Sequence, residues 1–105
     1  MTNHVAWYEG GAYKFEPVEG RLIYAPLVIL IDHPTASAAE DFLIFLDSGK
    51  RAVLVGRPTF GSTGQPLPFE LPGGGSAKVC SKRDTYPDGR DFVGYGVQPD
   101  HLVTA

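Results

Sequence analysis

Five branched apolar residues, Leu27-Val28-Ile29-Leu30-Ile31, run without interruption between Pro26 and Asp32, and they constrain the fold more than any other feature of the chain. A stretch with no polar alternation is the pattern of a strand buried on both faces, which belongs in a parallel sheet. A parallel partner requires a crossover of a dozen or more residues, and the next segment supplies one. Apolar residues recur at Ala39, Phe42, Leu43 and Leu46, the i, i+3, i+4, i+7 spacing of one helix face. Ser37 stands three residues ahead of Glu40, as in a capping box, and Gly49 followed by Lys50 and Arg51 marks the helix end. Residues 52–55 then return as a second buried strand. The three segments make a strand-helix-strand unit, which puts the chain in the α/β class with one main amphipathic helix.

Beyond this unit the chain is rich in turns. Thirteen Gly and nine Pro among 105 residues predict short strands joined by tight connections. Residues 65–71 and 76–83 read as a hairpin about Pro72-Gly73-Gly74-Gly75, and Tyr86-Pro87-Asp88-Gly89 reads as a second turn, so the strands should be mixed, parallel and antiparallel. Residues 1–24 carry Gly10-Gly11, Pro17 and Gly20 among aromatics and read as irregular, with one or two short strands. No repeat, low-complexity tract or linker divides the chain, so residues 1–105 form a single domain with room for one modest core.

Several functions are excluded early. A net charge of −3 with no run of Lys or Arg gives no face for nucleic acid. Cys80 is the only cysteine, so neither an intrachain disulfide nor a cysteine metal cluster can form, and in a strand it reads as a small apolar filler. Gly73-Gly74-Gly75 has no helix or Lys-Ser/Thr behind it and is a turn, not a phosphate cradle. Asp84, Asp88 and Asp91 are spaced too loosely for a calcium loop. No metal and no cofactor is expected. The longest apolar run is too short to span a bilayer, and the first residues show no signal peptide, so any export signal would lie outside this chain.

Chemistry concentrates at Ser37. A serine directly after a buried strand and at the first turn of a helix lies beside N–H groups with no intrahelical acceptor, where the helix dipole adds partial positive charge. The N–H of Ala38 is placed to donate to a developing oxyanion, as donors next to the nucleophile do in serine hydrolases. Ser followed by Glu at this spacing is also an ordinary helix cap, so the local pattern alone leaves both roles open.

The wider pattern resembles the tail-specific, C-terminal-processing serine peptidases. It carries Thr35-Ala36-Ser37-Ala38-Ala39-Glu40, then Arg51-Ala52-Val53-Leu54-Val55-Gly56, then Pro58-Thr59-Phe60-Gly61. Further on come Tyr86-Pro87-Asp88-Gly89-Arg90 and Gly94-Tyr95-Gly96-Val97-Gln98-Pro99-Asp100, similar to that family's closing segments. The likeness covers roughly residues 26–103 and implies the C-terminal part of a crotonase-like (ClpP/crotonase) catalytic core, with Ser37 as nucleophile and Ala38 in the oxyanion hole. It also implies that Thr59, Gly61, Ser62 and Gln65 belong to an active-site loop lining the cleft.

Two positions depart from the commonest form of the family. Where the Ser-Lys branch has its general-base lysine, this chain has Ser62, so the resemblance favours the tricorn-like branch, whose base is a histidine from earlier in the domain. His4, His33 and His101 match none of the family's base positions and read as ordinary accessible residues, His33 being the nearest to Ser37 in sequence. The acidic residue that some members carry before Gly-x-Gly is here Val93, and strand alternation would put Asp91 on the same face. Lys50 lies at the far end of the helix, where the dipole explains a cation.

The resemblance therefore implies a polypeptide substrate, a preceding portion of the same protein holding the base and often a PDZ module, and inactivity of this chain alone. Apolar surface left where that portion packs would favour self-association. An extracytoplasmic site, periplasm or cell envelope, is the family's usual one in bacteria. A second function from a different class, a non-catalytic module binding peptides or small hydrophobic ligands on the same fold, is compatible with the missing lysine and acid.

Overall fold

The computed structural model describes residues 16, 18–20 and 22–104; the irregular segment and short strands expected over residues 1–24 lie almost wholly outside these. Strand β1 (Val28–Ile31) leads into helix α1 (Ala38–Ser48) and strand β2 (Val53–Gly56), followed by β3 (Pro66–Glu70), β4 (Ser76–Cys80) and the short β5 (His101–Leu102). β1 and β2 run parallel with Val28 opposite Val53 and Ile31 opposite Gly56, and β5 joins the other edge of β2, also parallel. β3 and β4 form the separate antiparallel hairpin expected from the Gly-rich turn. The strand-helix-strand unit, the hairpin and the Tyr86–Gly89 turn, closed by a 2.9 Å bond from Gly89 N–H to the Tyr86 carbonyl, match the sequence pattern. β5 was not legible: two residues carry no period, and it is fixed from outside. Asp100 closes it onto β2, accepting the Leu54 N–H on its carboxylate at 2.7 Å and donating its own N–H to the Leu54 carbonyl at 2.8 Å.

The core lies on one side of the parallel sheet. Ile31 and Leu54 from the strands meet Leu43 and Ile44 of α1, and the segment after the hairpin adds Tyr86, Phe92 and Val97. Each large side chain fully buried there contributes roughly 1.5–3 kcal/mol.

Three expectations need correction. β1 is not buried on both faces: Val28 is 59% and Leu30 80% exposed, because no described segment lies over that side of the sheet. The helix also buries a face one residue, about 100°, away from the apolar stripe. Glu40, Leu43, Ile44 and Asp47 point inward, while Ala39 and Phe42 are exposed and Leu46 is only partly covered. Hydropathy alone misses this rotation because two carboxylates are buried with partners that satisfy them. Cys80, read as a filler, is exposed on β4.

Candidate active site

Ser37 stands where the chain turns from β1 into α1, exposed and immediately ahead of the first helical residue, Ala38. Its backbone has φ 61° and ψ −128°. An ordinary helix cap has the extended, negative-φ conformation, and a positive φ is costly for a residue with a Cβ. Such a conformation persists only where the surroundings over-determine it. Here the Ser37 N–H donates both to the Ser62 carbonyl at 2.8 Å and to Glu40 Oε2 at 3.0 Å. The Ser37 carbonyl starts the helix by accepting the N–H groups of Glu40 at 2.8 Å and Asp41 at 3.2 Å. Beside it the Ala38 N–H meets no acceptor among the described residues, on an exposed residue at the positive end of the dipole.

Glu40 organises the loop against this turn. It is fully buried, and four donors converge on its two oxygens. Oε1 accepts the Thr59 hydroxyl at 2.5 Å and the Gly61 N–H at 2.6 Å, while Oε2 accepts the Ser62 N–H at 2.9 Å together with that of Ser37. Thr59, itself buried, extends the network by accepting the Val97 N–H at 2.7 Å. Gly61 and Gly96 let the two backbones approach: Gly96 has φ 83°, and a Cβ there would be driven into the Thr59 carbonyl. Gly94 N–H completes the contact by donating to the Gly61 carbonyl at 2.8 Å.

Of the residues singled out from sequence, Ser37, Ala38 and Ser62 are thus brought together, with Thr59 and Gly61 joined to them through Glu40. Thr59 turns its side chain inward, beneath the loop. Gln65 stands farther along, at the foot of the hairpin, where its carbonyl accepts the Ser81 hydroxyl at 2.8 Å. Ser62 occupies the lysine position and has an exposed side chain. His33 is exposed and stacks at a tilt on Phe60, ring centroids 5.4 Å apart; His101 is on β5; His4 lies outside the described residues. Asp91 pairs with Arg83 at 2.6 Å. Asp91 and Val93 do not alternate along a strand as expected, since residues 93–95 form a turn.

Glu40 is the residue that sequence reasoning undervalued, treating it as half of a capping box. The available signal was its place in the serine motif. Its loop partners are more than a dozen residues away and no local pattern announces them. Elsewhere, Asp32 and Arg57 form an exposed two-pronged ion pair at 2.6 and 2.8 Å, and the guanidinium holds the Asp32 carboxyl down at about 2. Tyr86 donates its hydroxyl to the buried Asp47 at 2.8 Å, and burial raises the phenol well above its usual range.

The sequence profile of Peptidase family S41 matches residues 8–103. A carboxyl-terminal-processing protease of a Picosynechococcus strain is 42% identical over 86% of this chain. Carboxyl-terminal-processing peptidase 2, chloroplastic, of Arabidopsis thaliana is 38% identical over 72% of it. The solved structure of a photosystem II D1 C-terminal processing protease superposes with a TM-score of 0.66 at 34% identity, covering 76% of this chain and 21% of that one. The chain spans 22% of the Picosynechococcus protein and 15% of the Arabidopsis one.

Proposed function

The chain belongs to peptidase family S41, and from that membership we propose that it is the nucleophile-bearing part of a serine-type endopeptidase that cleaves polypeptides through an acyl-enzyme on Ser37. The observation that carries this is the left-handed backbone of Ser37 at a strand-to-helix turn. A serine serving only as a cap has no need of that conformation, whereas a nucleophile gains an exposed hydroxyl beside free helix N–H groups.

In the proposed reaction Ser37 Oγ attacks the scissile carbonyl while a base removes its proton. The carbonyl oxygen becomes an oxyanion that accepts the Ala38 N–H. Collapse expels the amine, which takes up the proton, and water then hydrolyses the ester by the same path. With Ser62 at the lysine position, the base is a histidine from outside the described residues, as in the tricorn-like branch. Because this chain spans about a fifth of the Picosynechococcus protein, activity belongs to a longer unit, and residues 1–105 alone should turn over no peptide. Among the described residues no helix is long and apolar enough to cross a membrane. An extracytoplasmic site of action, periplasm or cell envelope, is part of the proposal.

The test is labelling of the full-length protein by a fluorophosphonate, which reports an activated serine. Labelling should appear in the unaltered protein and vanish in Ser37→Ala. The fold should survive, since loss of a cap hydroxyl costs about 0.5–2 kcal/mol. The non-catalytic binding module is favoured by one observation, the exposed serine where a lysine base would stand beside Ser37. A folded full-length protein that resists the probe would remove the peptidase and leave the module in its place.

A further inference from the structure

We infer that Glu40 is the positioning residue of this site, the group that holds Ser37 in its reactive backbone conformation and fastens the 59–62 loop to it. The inference rests on Ser37 being the nucleophile.

A helix cap explains only a small part of what Glu40 does. A capping glutamate reaches back to one N–H, that of the cap residue, from the helix surface. Glu40 makes that bond to Ser37 but is fully buried, and its other three donors come from Thr59, Gly61 and Ser62, which are 19, 21 and 22 positions away in sequence. Three of the four donors are main-chain N–H groups, so the carboxylate fixes backbone positions in the turn and in the loop at once. All four partners are donors, and an ionised carboxylate, acceptor-only, matches them two per oxygen. Saturated in this way, Glu40 has no free oxygen for a substrate proton. Its part is therefore to orient Ser37, not to act as acid or base.

The same geometry says which substitution isolates the role. Glu40→Gln keeps the shape but turns one acceptor oxygen into an NH₂ group, and in either orientation that group faces two donors. Glu40→Asp keeps an acceptor-only carboxylate on an arm one methylene shorter, which cannot bridge the turn and the loop together.

The experiment uses the full-length protein and reads fluorophosphonate labelling rate, kcat and KM on an unstructured polypeptide, pH profile and thermal unfolding. In folded Glu40→Gln we expect labelling rate and kcat to fall about 100-fold, as for a reacting group displaced by roughly 1 Å, with KM within about 3-fold and the pH limbs unmoved. A purely structural carboxylate would lower the unfolding temperature and leave kcat of the folded variant alone. If Glu40→Gln does not fold, Glu40→Asp decides: a drop of about 10-fold or more in kcat with KM retained supports the role, and unchanged kcat overturns it. Labelling of the unaltered protein and of Glu40→Gln at one rate overturns the role of Glu40 alone. Absence of labelling in the unaltered protein overturns the nucleophile and this role with it.

Discussion

Helix α1 buries two carboxylates on the same stripe, Glu40 near its start and Asp47 near its end, and their surroundings differ in kind. Glu40 is met by four donors, three of them main-chain, drawn from the turn it belongs to and from a distant loop. Asp47 is met by one tyrosine hydroxyl at 2.8 Å and by Lys50 at 3.9 Å, beside a cavity of about 220 Å³ that Arg90 and Asp100 also line. Backbone donors cannot change rotamer, so the first arrangement fixes geometry. A side-chain donor on an otherwise open cavity ties two elements together and can relax. One end of the helix is thus built for position and the other for cohesion.

Thr59→Val should break the first end hardest among changes that leave the two carboxylates in place. It takes a donor from Glu40 and an acceptor from the Val97 N–H, both buried, at a cost of roughly 1–3 kcal/mol for each orphaned group. Denaturant unfolding should show the loss, and probe labelling of Ser37 should fall with it. Tyr86→Phe tests the other end, where losing the hydrogen bond to Asp47 should cost about 1.5–3 kcal/mol with labelling unchanged. If labelling fell as far as in Thr59→Val, the division between the two ends would collapse.

The Asp47 end should also carry an alkaline signature. The Tyr86 phenol is raised above its ordinary 10.0 by burial first and then by Asp47, so its contribution is complete below about pH 10. It is lost as pH rises beyond that, because the unfolded chain gives up the proton first. Thermal midpoints between pH 8 and 11 should fall in the unaltered protein by an amount that Tyr86→Phe removes.

Much of this architecture is legible in the sequence, and the parts that are not share a cause. The apolar runs, the Gly-rich hairpin and the Pro-Asp-Gly turn are local patterns, and they appear where local pattern places them. The face of α1 is misjudged because Glu40 and Asp47 look solvated until their donors are known, and those donors lie at residues 59–62 and 86. The bare outer face of β1 is hidden for the opposite reason: apolar sequence reports a demand for burial, not which neighbour meets it. At the site, Ser37 and Ala38 are read from motif spacing, whereas the left-handed backbone of Ser37 is carried by contacts that no window of sequence contains.

Smaller effects sharpen the same contrast. On the proposed reading, Lys50→Ala, Lys78→Ala and Lys82→Ala should each leave kcat of the full-length protein unchanged, as none occupies the position of Ser62. Loss of the chemical step in any of them, with the fold intact, would return the site to a lysine mechanism. Smallest of all, the Asp32–Arg57 pair at the end of β1 is exposed. With the Asp32 carboxyl lowered to about 2, its contribution is present above its ordinary 3.8 and fades as pH falls through 2. Asp32→Asn should flatten that acid limb slightly in thermal unfolding.

The tie between Ser37 and Ser62 runs from a main-chain N–H to a main-chain carbonyl, with the Ser62 side chain outside it. Whatever residue stands at 62 would leave that tie intact. The side chain at position 62 is consequently interchangeable as far as the turn is concerned: on the proposed reading of Ser37 as nucleophile, a lysine could stand there, or a proton acceptor could come from elsewhere, without rebuilding the turn. A scaffold bolted through its peptide groups leaves its side chains to evolution, a physical route by which, on that reading, one fold would host more than one way of activating the same serine.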